Sequence, residues 1–402
     1  MALLRSDYAA FSSHLIFACS ASSLSVVLVP LSQELGFGLQ EGGFSLAGQL
    51  YFLHSLVMMV AMFAAGLLVR YWKKWACLSL GMVSVALGSL LSACAWNYLS
   101  LLLGVVVMST GYGFQDALIT SYVADQHPGP EGPRRISQTH CFWCVGIFLV
   151  GFLGGILLEK GLPWRGLLLG LAILALVPGA LFLKTSPPVS LTLPPLPPWK
   201  GMWDVLRIPR FWLFLVALCM TGGAEHCLTF WLPSYIKLEL GQAEFFSSAG
   251  IAFFTTGMFF VRLLFGYLPP KYHLRCLVGS SLACLLISLL LPLTSNVTRL
   301  FPILVLQGLA SGAIWPFLQY FCAHFLHRQD STPVYVLLPL IGAMGCGFFP
   351  LLMGIASNTP AIGPRYSIYL LPLCYLGLLI LLLAVLRLAR REAREVQEAV
   401  LR

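Results

Sequence analysis

The 402-residue chain is 58% hydrophobic and only 10% charged, with a mean hydropathy of +0.86, a composition that excludes an ordinary soluble domain and predicts an integral membrane protein. The formal net charge of +9 follows the loops and helix ends rather than a nucleic-acid-binding patch, so no nucleic acid partner is expected. The twelve cysteines fall mostly inside apolar segments, among them Cys141, Cys144, Cys219 and Cys346, without ligand-like spacing to loop histidines. They read as small packing residues, and no metal site is expected.

A helix of about 20 apolar residues crosses the roughly 30 Å hydrocarbon core. Segments of that kind occupy residues 11–31, 43–69, 76–96, 99–123, 137–158, 166–183, 211–236, 246–268, 276–294, 300–323, 332–356 and 366–386. They predict an all-α membrane protein with twelve transmembrane helices. The opening MALLRSDYAAF lacks the charged region, short apolar core and cleavage site of a signal peptide, so the first segment is expected to stay as a membrane helix.

Taking the N-terminus as cytoplasmic, one side collects Arg5, Arg70, Lys73, Lys74, Arg134, Arg135, Lys184, Lys200, Arg207, Arg210, Arg262, Lys271, Arg275, Arg328 and the tail arginines. The other holds only Lys160, Arg165, Lys237, Arg299 and Arg365. This positive-inside bias puts both termini in the cytoplasm and the chain in the cell (inner) membrane. The tail RLARREAREVQEAVLR is amphipathic and is expected to lie along the cytoplasmic face.

Between spans six and seven, KTSPPVSLTLPPLPPWKGMWDVLRIPR is too rich in proline for a continuous helix and suits an extended linker. The expected division is therefore 1–184, a six-helix half; 185–210, a cytoplasmic linker; 211–386, a second six-helix half; and 387–402, the tail. Residues from Phe63 (FAAGLLVRYWKKWACLSLG) lie two hundred positions before LLFGYLPPKYHLRCLVGSS, with Gly66 on Gly266 and a basic loop following in each. This weak internal repeat makes the two halves pseudo-symmetric.

A charge in lipid costs a few kcal/mol on insertion scales (about 2.5–3.5), so acids inside spans point to function. Asp116 in span four shares a helical face with Ser109, Gly113 and Thr120, and Glu225 in span seven shares one with Thr221 and Thr229. Both faces read as cavity walls, or as packing surfaces if each carboxyl is protonated or paired. Span five opens with Gln138, His140 and Trp143, followed by Gly151, Gly154 and Gly155 at spacings for close helix contact. Span ten carries Ser311, Trp315 and Gln319, an aromatic plate beside hydrogen-bonding groups that suits a sugar ring or simply packs. His14 and His54 fit hydrogen bonds to neighbouring helices, and Arg262 fits either snorkelling or a gate between the halves. Asn296-Val297-Thr298 is a glycosylation sequon by pattern. No phosphate-binding loop or nucleophile elbow is present, so no enzyme and no cofactor is expected.

At these residues the sequence resembles the fucose, galactose and glucose proton-symporter group of the major facilitator superfamily, over most of its length. GYGFQDALITSYVADQHP is similar to that group's fourth helix, RRISQTHCFWCVG to its fifth, GGAEHCLTFWLPSYI to its seventh and TGMFFVRLLFGYL to its eighth. The resemblance implies the major facilitator fold, and it implies that Asp116, Gln138, His140, Glu225, Trp315 and Gln319 contact solute. Asp116, Glu225 and His140 become coupling candidates, and Arg262 a gate. Where some relatives have an aspartate in helix one, SSLSVVLVPLSQ has Val26, and Arg70 replaces the usual acid after helix two. The implied activity is secondary active transport of a sugar or polyol by a monomer in lipid, with proton or sodium as the coupling ion. A carboxylate or drug-like exporter and a non-transporting solute sensor are the alternatives.

Overall fold

The computed structural model describes residues 3–69, 71–127, 132–185, 199–265, 272–326 and 332–401. Arg70, Lys271, Arg328, Gly266 of the repeat and linker residues 186–198 lie outside the described residues. Among those described, the structure is helical with no strand. The first half comprises α1 (Arg5–Glu34), α2 (Phe44–Leu68), α3 (Lys74–Ala93), α4 (Tyr98–Gln126), α5 (Gly132–Leu149) and α7 (Trp164–Leu183). A π-helical turn, Val150–Gly154, joins α5 to α6 (Gly155–Glu159) in one span. After the short α8 (Trp199–Leu206), the second half comprises α9 (Pro209–Leu238), α10 (Glu244–Phe265), α11 (His273–Ser288), α12 (Val297–Ser311) with α13 (Ile314–Phe325), α14 (Thr332–Ser357) and, after α15 (Gly363–Ser367), α16 (Leu370–Leu401).

Eleven of these spans are long and apolar enough to cross a membrane, and the shorter α11 supplies the twelfth. The helix α8 falls inside the segment read as extended linker. The tail is not a separate helix, because α16 runs unbroken to Leu401.

The pseudo-symmetry is written in packing. Lipid offers little hydrophobic drive between helices, so close backbone approach through small residues holds a membrane bundle together. A Cβ on Gly113 would fall 2.5 Å from the Met58 carbonyl, and one on Gly312 would fall 2.7 Å from Met258 Cα. These contacts, α4 on α2 and the end of α12 on α10, stand at the same two-hundred-residue offset. Helix starts repeat as well. Asn97 caps α4 by accepting from Ser100 N at 2.8 Å, and Asn296 caps α12 by accepting from Thr298 N at 2.8 Å. Asn296, the sequon residue, thus uses its Oδ1 as a helix cap.

The halves meet along two seams, α2 against α14 and the α5–α6 span against α10, with α1 touching α9 between them. The glycine contacts across these seams involve residues 44–55 with 347–354 and 151–155 with 245–251, all toward the end away from the termini.

Candidate functional site

Span ten breaks between Ser311 and Ile314, and the break builds the centre of the site. Pro316 has no N–H, so the carbonyl of Gly312, four residues earlier, loses its helical partner. Arg262 Nε of α10 supplies the missing donor at 2.9 Å. The same guanidinium donates from Nη1 to Cys144 Sγ of the other half at 3.6 Å, and Nη2 lies 3.7 Å from Glu225 Oε1. Both charged side chains are largely enclosed, with 15% and 12% of their surface exposed. Arg262, in the last turn of α10, therefore turns inward rather than snorkelling; it bridges α10, α9, the α12–α13 break and α5.

Asp116 contrasts with this pair. It is half-buried on α4, within electrostatic range of Cys346 on α14, and has no hydrogen bond or ion pair among the described residues. Its predicted face is only partly a cavity wall, since Gly113 is pressed on α2 and the Ser109 hydroxyl bonds His54 Nδ1 at 2.7 Å. Thr120, one turn on, shares a 3.1 Å hydrogen bond with His140 Nε2.

His140 stands edge-on to His14 of α1 with ring centroids 5.0 Å apart. His14 also packs on Phe17 and Trp143, and its Nδ1 is buried without a partner. Gln138 faces its own helix, its Oε1 accepting from Arg135 Nη1 at 3.1 Å. Trp315 is half-buried between two glycines: a Cβ on Gly222 of α9 would fall 2.6 Å from its Cζ3, and one on Gly342 of α14 would fall 3.0 Å from its Cη2. Ser311, one turn before Trp315 in the same span, has its hydroxyl buried without a partner. Gln319 is half-buried with no hydrogen bond among the described residues.

The structure thus gathers Glu225, Arg262 and Cys144, and separately His14, His140 and Thr120. Tyr51 and His226 are additions that the sequence reading passed over. Tyr51 OH and His226 Nδ1 share a 2.7 Å hydrogen bond between α2 and α9, and Phe230 lies against the Tyr51 ring at 4.1 Å between centroids. Both had a signal. Tyr51 is one helical turn from His54, and His226 follows Glu225 directly. Among the described residues no cluster could hold a metal.

Two helical halves with polar and charged side chains facing each other inside an otherwise apolar bundle define a solute transporter of the two-lobed kind. The family profile of the Major Facilitator Superfamily matches residues 10–331, and the chain belongs to that superfamily. Among solved structures, it is similar to a bacterial homolog of the human lysosomal transporter Spinster in an inward-facing and occupied conformation, at 15% identity and TM-score 0.71, covering 94% of each chain. It is also similar to the E. coli fucose:proton symporter FucP at 17% identity and TM-score 0.64, covering 94% of this chain and 97% of that one. A FucP structure in the outward conformation matches at 16% identity and TM-score 0.64 with the same coverage. No curated protein matches the sequence.

Proposed function

We propose that the protein is a secondary active transporter carrying a small polyhydroxylated solute, a sugar or sugar-like polyol, through a central cavity exposed alternately to the two membrane faces. The observation that carries this reading is Asp116, a half-buried carboxyl inside the bundle with no protein partner among the described residues. Such a group needs compensation from a proton, a cation or donor groups of a solute. Solute hydroxyls supply donors, and Gln319 offers an unused amide on the second half. Trp315, held between Gly222 and Gly342, presents the rest of its indole to a sugar's apolar face. Asp116 is the leading coupling group, because Glu225 already has a cation beside it; a proton on Asp116 would neutralise the carboxyl and let its hydroxyl bond the solute, so that the two cross together.

A second reading has its own support. Arg262, although in the last turn of α10, keeps its guanidinium largely enclosed between helices, and an enclosed cation favours an anion such as a carboxylate over a neutral polyol. In this reading the chain works as a monomer in lipid, and the basic loops favour both termini being cytoplasmic.

Counterflow in proteoliposomes tests the reading. Radiolabelled sugars and polyols should accumulate against the same unlabelled solute, whereas counterflow only of carboxylates would support the second reading and counterflow of neither class would remove both. With a transported solute in hand, Asp116→Asn should abolish uphill uptake across a pH gradient while sparing exchange at equal pH. Full uphill uptake by that variant would refute the coupling role.

A further inference from the structure

Four spans set the polar groups of the cavity in two layers, one helical turn or roughly 5 Å apart along each axis. Cys144, Glu225 and the Gly312 carbonyl all meet the Arg262 guanidinium, and they define the first layer. Because α5 and α9 run away from the termini and span ten runs back, His140, Gly222 and Trp315 each lie one turn from that layer on the side of the termini. The imidazole of His140 and the indole that rests on Gly222 therefore form a second layer. The residues of α4 follow the same order. Thr120 shares its hydrogen bond with His140, and Asp116 lies one turn nearer the closed end.

The layers differ in chemistry. The first carries the charges of Arg262 and Glu225 beside the carboxyl of Asp116. The second carries rings and a hydroxyl: His140, His14 edge-on to it, Thr120 and Trp315.

Hydrogen-bonding capacity is left over where the layers meet. A guanidinium has five N–H donors. Nε and Nη1 of Arg262 are engaged, while Nη2, 3.7 Å from Glu225 Oε1, is too far away for a hydrogen bond. His14 is 3% exposed, and its Nδ1 has no partner. His14 and His140 both lie within electrostatic range of Arg262. With its proton on Nδ1, His14 needs an acceptor, as the unused guanidinium donors do.

A carboxylate meets both needs. It gains short charge-assisted bonds from a guanidinium that a hydroxyl does not, and five donors let one guanidinium serve Glu225 and a second carboxylate together. A phosphate dianion fits less well, because among the described residues this layer sets one guanidinium against two acids. We infer that the solute is a sugar acid, an aldonate or uronate whose carboxylate docks on Arg262 and His14 while its hydroxyls reach His140, Thr120 and Asp116 and its apolar face lies on Trp315. The inference rests on the reading of this cavity as a transport site for polyhydroxylated solutes, and narrows it to those bearing one carboxylate.

Matched pairs test it, each a sugar acid and its neutral counterpart: glucuronate with glucose, galacturonate with galactose, gluconate with sorbitol. In radiolabelled counterflow with the full-length protein in proteoliposomes, the acid of a pair should half-saturate at a concentration roughly 10- to 100-fold lower, the worth of a hydrogen bond to a charged group. Lactate and glucose 6-phosphate stand for a carboxylate without the sugar and a sugar with a larger charge. His14→Phe keeps a ring against Phe17 and Trp143 but removes the nitrogen, and should cut the preference for the acid by about ten-fold. His14→Gln, which keeps a donor, should recover part of it. A purely structural role for His14 would weaken both members of a pair alike.

Counterflow of the neutral member equal to or better than that of its acid would overturn the inference and leave the polyol reading standing. Preference for lactate or glucose 6-phosphate would overturn it as well. Counterflow of none of these solutes would remove the polyol reading and the inference together. An unchanged acid preference in His14→Phe would overturn the docking place given to the carboxylate. The comparison within pairs uses the parent protein alone, so it decides the solute class whether or not a His14 variant folds.

Discussion

Apart from Asp7 at the start of α1, buried against His127 at 2.6 Å, the two halves place the acids of their membrane interior on different helices. In the first, the acid is Asp116 on the fourth helix, and the first helix carries Ser25 and Val26 at the level where the second half has Glu225 on α9. In the second, the acid is on that half's first helix, and Trp315 stands where the first half has Asp116. The acids differ in company as well as position. Glu225 has the Arg262 guanidinium 3.7 Å away, and that guanidinium also serves the Gly312 carbonyl and Cys144, whereas Asp116 has no partner among the described residues. A compensated acid organises its surroundings, and an uncompensated one is available for exchange. Pseudo-symmetry of the frame thus coexists with asymmetry of the chemistry it holds.

Removing Arg262 should break this contrast with the largest effect. Arg262→Met leaves Glu225 uncompensated and the Gly312 carbonyl bare, and should lower stability by about 3–5 kcal/mol. Thermal unfolding in detergent measures it, and adding Glu225→Gln should recover part of the loss. Recovery of nothing would mean that the Gly312 contact, not the ion pair, carries the effect. Gly222→Ala comes next, because its Cβ would strike the indole of Trp315, costing about 1–3 kcal/mol as overpacking. Trimming the ring in a Gly222→Ala, Trp315→Leu pair should relieve that clash.

Tyr51→Phe removes one hydrogen bond between the halves and should cost about 1 kcal/mol, read as a small fall in melting temperature. Asp116→Asn should sharpen the comparison by doing least to the fold. With no partner to lose, its stability should change by less than about 0.5 kcal/mol, while uphill transport disappears. A large loss of stability would show that Asp116 is a structural acid like Glu225.

Much of the fold was legible because membrane helices announce themselves by length and apolarity. The expected span 166–183 lies within α7 and differs from it by two residues at the start. The division of span ten was less visible. Pro316 was in plain view, but a proline inside a membrane helix can be absorbed in several ways, and only the structure shows Arg262 supplying the donor that the Gly312 carbonyl lacks.

The site was legible as residue types and not as partnerships. Asp116, Glu225, His140 and Arg262 stood out because ionisable groups are rare and costly in lipid. That Glu225 has a cation and Asp116 has none depends on which helices face each other across two hundred residues of chain, which one-helix periodicity does not encode. Gln138 illustrates the limit, since its Oε1 is taken by Arg135 one turn away. Tyr51 and His226 were missed because each is unremarkable alone and meaningful only as a pair joining the halves.

By itself the sequence determined that this chain crosses the membrane as helices, that it is built twice on one plan, and that a few polar side chains interrupt the apolar spans. Backbone groups must be satisfied inside lipid and charges there must be compensated, and both requirements are written locally in residue type and spacing. Only the tertiary structure decided which acid is compensated, where span ten breaks and at which end the halves close. Those outcomes rest on side chains and carbonyls meeting from different helices, at distances that no single helix contains.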